Sequence, residues 1–77
     1  MAKKDLEILK KEFGVKALGI RLDKGLSLRQ VAARCSLDNS KISKIEKGKV
    51  NVSLSTIADL ALGLDVPLTE LMPGAQA

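Results

Sequence analysis

The sequence predicts an all-α fold of four or five short helices, without strands. Apolar residues recur at steps of three and four along most of the chain, which is the spacing that lines one face of an α-helix. Phe13 is the only aromatic residue, whereas strands favour aromatic side chains. At 77 residues the chain is expected to form one compact domain around a core of Leu, Ile, Val and Ala.

The first helical pattern covers residues 1 to 24. It fits either one long helix or two helices with a break near Gly14, because Gly14 and Gly19 each weaken a helix by about 1 kcal/mol relative to Ala. Gly25 is suited to the left-handed position just past a last helical turn. The apolar face of this pattern consists of Leu6, Leu9, Phe13, Ala17 and Ile20.

Two short helices joined by a tight turn are predicted next. Ser27 and Gln30 have the spacing of a capping box, so a second helix is expected over about residues 28–35. Asp38 is suited to cap a third helix over about residues 39–47, because its carboxylate can accept from the first backbone N–H groups.

The third helix is expected to have two chemically different sides. Ile42 and Ile45 form an apolar side, and Gly48 ends the helix. The stretch "LDNSKISKIEKGK" places serines and lysines on the opposite side. This helix is therefore predicted to bury an apolar face and to expose a cationic face.

The last third of the chain is predicted to hold one longer helix and one brief helix. Ser53 is suited to cap the longer helix, which is expected to end at Gly63. Pro67 pre-sets the backbone for the brief helix over about residues 68–72.

Positive charge is concentrated in the first two thirds of the chain. The net charge is +3 over residues 1–27, +4 over residues 28–50 and −3 over residues 51–77, and the last basic residue is Lys49. A polyanion such as nucleic acid is therefore expected to meet the middle of the chain. The acidic last third is left for packing or self-association.

The composition argues against several classes of protein. Cys35 is the single cysteine, expected in the core, and histidine is absent, so we predict no disulfide within the chain, no metal site and no cofactor. Without histidine or a glycine-rich phosphate loop, the sequence is not expected to be an enzyme. Charges interrupt the apolar residues of "MAKKDLEILKKEF" every two or three positions, so we expect neither a signal peptide nor a membrane span, and a cytoplasmic location.

Two short helices, a tight turn and a cationic second helix are the parts of a helix-turn-helix DNA reader. From Phe13 to Met72 the chain also resembles the helix-turn-helix domain of the lambda-repressor and Cro superfamily, the XRE-type transcription regulators, which include small controller proteins of restriction-modification systems. The resemblance rests on "FGVKALGIRLDKGLS", "VAARCSLDNSKISKIEKGK" and "NVSLSTIADLALGLDVPLTELM", which occur in the order typical of that family. It implies a compact lambda-repressor-like fold and sequence-specific binding to double-stranded DNA.

The resemblance implies roles for individual residues. The positions that read bases are Asn39, Ser40 and Lys44. The positions that contact phosphates are Arg29, Lys41, Ser43, Lys47 and Lys49. Arg21 and Glu46 match an ion pair that ties the first helix to the end of the third, which is a structural role, because a free carboxylate facing DNA would repel phosphate.

Four positions depart from the pattern of that family. Ser36 replaces the glycine of the turn, so it must either adopt the left-handed conformation at some cost or alter the turn. Leu28 replaces a glutamine that contacts phosphate, and Val52 replaces a proline. Leu62 replaces a charged residue, which hints at a larger apolar surface on the last third.

A homodimer is expected, because one recognition helix reads only a few base pairs and such readers usually bind two half-sites. The surplus apolar residues of the last third are the predicted interface. They are Leu60, Leu62, Leu64, Val66 and Leu68.

The predicted organisation is an N-terminal helical extension or arm at residues 1–12, the DNA-binding domain at 13–72 and a flexible tail at 73–77, with Pro73 and Gly74 ending the last helix. The expected partners are a DNA operator, a second copy of the chain and either RNA polymerase or a toxin. An antitoxin or a protein-interaction module built on the same fold stays open as the alternative function.

Overall fold

The prediction of an all-α fold is confirmed for residues 3–72, which are the residues that the computed structural model describes. They form helices α1 (Lys3–Asp23), α2 (Leu28–Ala32), α3 (Asn39–Glu46) and α4 (Leu54–Leu64), followed by a 3-10 helix (Leu68–Glu70), and no strand. The predicted tail at 73–77, with Pro73 and Gly74, lies outside the described residues. Among the described helices, none combines the length and apolar character needed to cross a membrane.

Helix α1 is one continuous helix, so the alternative of a break near Gly14 is wrong. Phe13 and Ala17 on its inner face are buried, and Ile20 packs against the core. The predicted end is present, since Gly25 has a left-handed φ of 69° and the Leu26 N–H donates to the Arg21 carbonyl 3.0 Å away.

Helix α2 begins as predicted and ends earlier than predicted. The Ser27 hydroxyl accepts from the Gln30 N–H at 3.1 Å, and the Gln30 amide oxygen accepts from the Ser27 N–H at 2.7 Å, which completes the capping box. The helix stops at Ala32 rather than Cys35, because the Arg34 and Cys35 N–H groups donate three residues back, to the Val31 and Ala32 carbonyls, and tighten the chain into turns.

Ser36 lies in the turn between α2 and α3, where the family pattern has a glycine. Among the described residues, Asp65 is the only non-glycine residue with a left-handed φ, so Ser36 does not adopt the left-handed conformation. Its hydroxyl donates to the Asp59 carboxylate on α4. Cys35 is half-buried rather than fully in the core, and its thiol donates to the Val31 carbonyl at 3.4 Å.

Helix α4 runs one residue past Gly63, which is a correction to the predicted end. The left-handed cap is Asp65, with a φ of 58°, at a cost of about 1 kcal/mol relative to glycine. Gly63 is buried within the helix, and a methyl group there would lie 2.9 Å from Val31 Cγ1. Close helix packing, rather than capping, therefore requires this glycine.

The core joins all four α-helices and the segment that follows them. The 3-10 helix is shorter than the predicted last helix, and Leu71 directly after it is fully buried. The buried apolar residues are Phe13, Ala17, Val31, Ile42, Ile45, Ile57, Leu60, Ala61, Leu64 and Leu71. This core holds α3 by its two isoleucines and leaves its other side at the surface.

Candidate nucleic-acid interface

Helix α3 presents its polar side to solvent. Ile42 and Ile45 are 0% and 1% exposed, whereas the predicted base-reading residues Asn39, Ser40 and Lys44 are all exposed. The Asp38 carboxylate accepts from the Lys41 N–H at 2.7 Å and fixes the first turn of the helix. The helix is therefore capped, with one side buried in the core and the other side exposed to solvent.

Two shallow grooves flank α3, one along each side. The first lies between α2 and α3 and brings Arg29 to the same surface as Asn39 and Ser40. Its lining residues are Arg29, Ala32, Ala33, Leu37, Asp38, Asn39 and Ser40. Arg29 is exposed, so its guanidinium is free to contact a phosphate beside the first turn of α3.

The second groove collects three lysines. It is lined by Ser40, Ser43, Lys44, Lys47, Lys49 and Val50. The chain reverses at Gly48, whose φ is 69°, and the Lys49 N–H donates to the Lys44 carbonyl at 3.0 Å. This turn keeps Lys49 beside α3 and concentrates positive charge at one end of the helix.

Lys41, the remaining predicted phosphate contact, lies outside both grooves. Its side chain is exposed on α3. Leu28, which replaces a glutamine of the family pattern, packs against the core and offers no polar contact. Val52 also packs against the core, so two of the departures from the pattern are explained by packing.

Arg21 and Glu46 form the ion pair implied by the sequence resemblance. Arg21 Nε donates to Glu46 Oε2 at 2.7 Å and Nη2 donates to Oε1 at 3.0 Å, while Nη1 donates to the Leu26 carbonyl at 3.0 Å. The hydrogen bond from Arg21 to Glu46, and the charge of that carboxylate, raise the pKa of the Arg21 guanidinium against the opposing effect of burial. The Glu46 carboxylate is thereby paired with a side chain of α1.

The predicted self-association surface needs a correction. Leu60 and Leu64 are each 1% exposed because they lie on the inner face of α4, so they are not available to a second copy. Leu62 and Leu68 are exposed and Val66 is half-buried. The predicted interface is thus reduced to Leu62, Val66 and Leu68.

The sequence prediction missed part of the apolar surface of α4. Leu54 is 73% exposed, and Leu54, Ala58 and Leu62 follow one another at steps of four, all exposed. This spacing places them on one face of the helix, beside the face that packs against the core. We call this face the α4 stripe; its step of four was the signal in the sequence that could have revealed it.

Comparisons with known proteins point to one family. Residues 19–71 match the helix-turn-helix family. The control protein C.MunI of a Mycoplasma species is 41% identical over 64 residues, which cover 82% of this chain and 86% of that protein. The control protein C.BamHI of Bacillus amyloliquefaciens is 39% identical over 61 residues, which cover 78% and 75%. The crystal structure of the restriction-modification controller protein C.AhdI from Aeromonas hydrophila superposes with a TM-score of 0.82 at 37% identity, covering 88% of this chain and 99% of that chain.

Proposed function

The chain belongs to the XRE-type helix-turn-helix family of DNA-binding transcription regulators, and we propose that it binds its operator as a homodimer with α3 in the major groove. In this proposal Asn39, Ser40 and Lys44 read bases. The phosphates are contacted by Arg29, Lys41, Ser43, Lys47 and Lys49. The controller proteins among its relatives support a role in regulating a restriction-modification operon.

One observation carries the proposal, which is the exposed polar face of α3 between two grooves that hold basic residues. An α-helix is about 10–12 Å across with its side chains, and the major groove of B-DNA is about 12 Å wide. The amide of Asn39 suits a bidentate contact with adenine, and the ammonium of Lys44 suits the O6 and N7 acceptors of guanine. The flanking Arg29 and Lys49 can then bind phosphates on either side of the groove.

Selection of bound duplexes from a random DNA pool tests this function. A two-fold-related motif with half-sites about 34 Å apart is the expected result, because two copies of α3 would read successive turns of the duplex. A pool with no enriched sequence would leave only charge-driven binding. That outcome would overturn the proposal and favour a protein partner, such as a toxin, for the basic face.

Lys44→Ala is expected to weaken binding to the selected operator by about 1–3 kcal/mol and to relax preference at one base pair, because one direct base contact is lost. Asn39→Ala should do the same at a different base pair. Competition binding against operators with single base changes measures both effects. Lys24→Ala is the charge-matched control, since Lys24 Nζ lies 3.4 Å from the Asp65 carbonyl at the end of α4. Equal losses on every sequence would rule out direct readout by Lys44.

Lys47→Ala is expected to weaken all duplexes alike and to reduce the slope of log affinity against log salt by about 1, because one phosphate contact and its released counterion are lost. Titration of binding with salt measures the slope on the operator and on an unrelated duplex. Lys24→Ala again removes one charge and should leave the slope nearly unchanged. An unchanged slope in Lys47→Ala would remove this residue from the phosphate contacts.

A further inference from the structure

Helix α1 packs against the end of α3 with no side chain between them at Gly14. Gly14 is buried, and a methyl group placed there would lie 2.6 Å from the Glu46 carbonyl oxygen and closer still to that of Ile45. In real proteins a Cβ atom essentially never lies within 3.0 Å of a heavy atom from another part of the chain. Both obstructing atoms are backbone, so a larger residue at position 14 would have to displace α3 itself.

The same side of α1 holds the end of α3 at two further points. At Gly48, just after α3, a methyl group would lie 3.0 Å from Lys11 Cα, so the turn that follows α3 lies directly on α1. Arg21 binds both carboxylate oxygens of Glu46. Lys11, Gly14 and Arg21 are three and seven residues apart, which places them along one face of α1.

These contacts fix where the recognition helix lies. The eight residues of α3 span only about 12 Å and move as one body, so a displacement at Ile45 and Glu46 is transmitted to Asn39 and Ser40. An ordinary contact begins at 3.4 Å, so a methyl group at Gly14 requires a shift of at least about 0.8 Å from the Glu46 carbonyl oxygen, and a larger one from that of Ile45. A hydrogen bond to a base edge has a range of only about 2.7–3.2 Å, whereas lysines that contact phosphates have flexible chains that can follow.

We propose that Gly14 is a positioning residue for DNA recognition. Because Gly14 has no side chain, the end of α3 lies close to α1, and this position of α3 determines the sequence specificity of binding. The inference rests on the proposed function, in which α3 reads bases. In this inference α1 does more than stabilise the fold, because it also positions α3 for base recognition. Sequence-specific affinity depends on Gly14, and nonspecific affinity does not.

Gly14→Ala tests the proposal in the full chain, with affinity measured on the selected operator and on an unrelated duplex of equal length. Operator affinity is expected to fall about ten- to a hundredfold, which is what one good bidentate base contact supplies, while affinity for the unrelated duplex changes by less than about twofold. Circular dichroism sets a temperature at which the variant is folded. If folding is incomplete, the same substitution is made together with Asp65→Gly, which relieves the left-handed strain at the end of α4.

Two controls separate positioning from stability. Gly19→Ala makes the same change on α1 where nothing lies within 4 Å of the added methyl group, and it should leave both affinities unchanged. Leu71→Ala removes a fully buried side chain from the segment after α4 and should lower stability without changing the ratio of the two affinities. An unchanged ratio in folded Gly14→Ala would overturn the inference. A wild-type protein that does not discriminate between the two duplexes would overturn the proposed function itself.

Discussion

Leu62→Glu is expected to convert the proposed homodimer to a monomer and to reduce operator affinity by about 10²–10⁴-fold. Leu62 is 65% exposed and belongs to the proposed interface of the α4 stripe, Val66 and Leu68, so the fold of each copy should tolerate the change. A carboxylate buried there without a partner opposes association. A monomer then binds each half-site independently and loses the avidity of two linked binding sites, which typically raises affinity by about 10²–10⁴-fold. Sedimentation and operator titration measure the two effects.

Val15→Glu is the matched control for this prediction. Val15 is 67% exposed on α1, so the substitution adds the same charge to an equally exposed apolar position. The added negative charge will weaken DNA binding slightly in both variants, and only Leu62→Glu should change the sedimentation coefficient. A dimer that survives Leu62→Glu would place the interface elsewhere, and dissociation by Val15→Glu alone would place it on α1.

Helix starts could be predicted from the sequence because each depends on a local hydrogen bond. Ser27, Asp38 and Ser53 all cap the helices that follow them, as their types and spacing indicated. Helix ends were less predictable because they depend on neighbours that are distant in the chain. Gly63 looked like a terminator, but its contact with Val31 on α2 gives it a packing role instead.

The candidate DNA-binding face was predictable for a similar reason. Ile42 and Ile45 indicated which side of α3 meets the core, so the opposite side had to be exposed. Helix α4 gave no such contrast, because Leu and Ala occur both on its inner face and on the α4 stripe. Its inner residues Leu60 and Leu64 could not be separated from Leu62 until packing showed which face meets α2.

Gly14 illustrates a limit of reading a sequence alone. A glycine within a helical pattern indicates a possible break, and its cost in helix propensity supported that interpretation. The structure instead places its Cα against the backbone at the end of α3, which is more than thirty residues away in the chain. Only the three-dimensional contact distinguishes a weak point of α1 from a point of close approach.

Glu46→Ala is expected to lower the free energy of unfolding by about 2 kcal/mol. The Arg21 side chain is only 12% exposed and would lose two of its three hydrogen bonds, keeping the one to the Leu26 carbonyl. Breaking a fully buried pair costs about 3–5 kcal/mol and an exposed pair less than about 1 kcal/mol, so this partly covered pair should lie between them. In a domain of this size the midpoint of thermal unfolding should fall by about 8–16 °C. Denaturant and thermal unfolding at one protein concentration measure the loss.

Glu7→Ala is the matched control, because the Glu7 carboxylate pairs with Lys10 at 3.0 Å but is 50% exposed. Its loss should cost less than about 0.5 kcal/mol in the free energy of unfolding.

The pH dependence of the free energy of unfolding is a second check. Since Glu46 raises the pKa of Arg21 above an already high value, the stability that Arg21 gains is fully present below its unfolded pKa and is lost only as pH rises through its folded pKa. The difference between wild type and Glu46→Ala should therefore stay constant from about pH 6 to pH 9. A loss no larger than that of Glu7→Ala would mean that the pair adds no more than an exposed surface pair does, and that α3 is held in place by its buried isoleucines and by the contacts at Gly14 and Gly48.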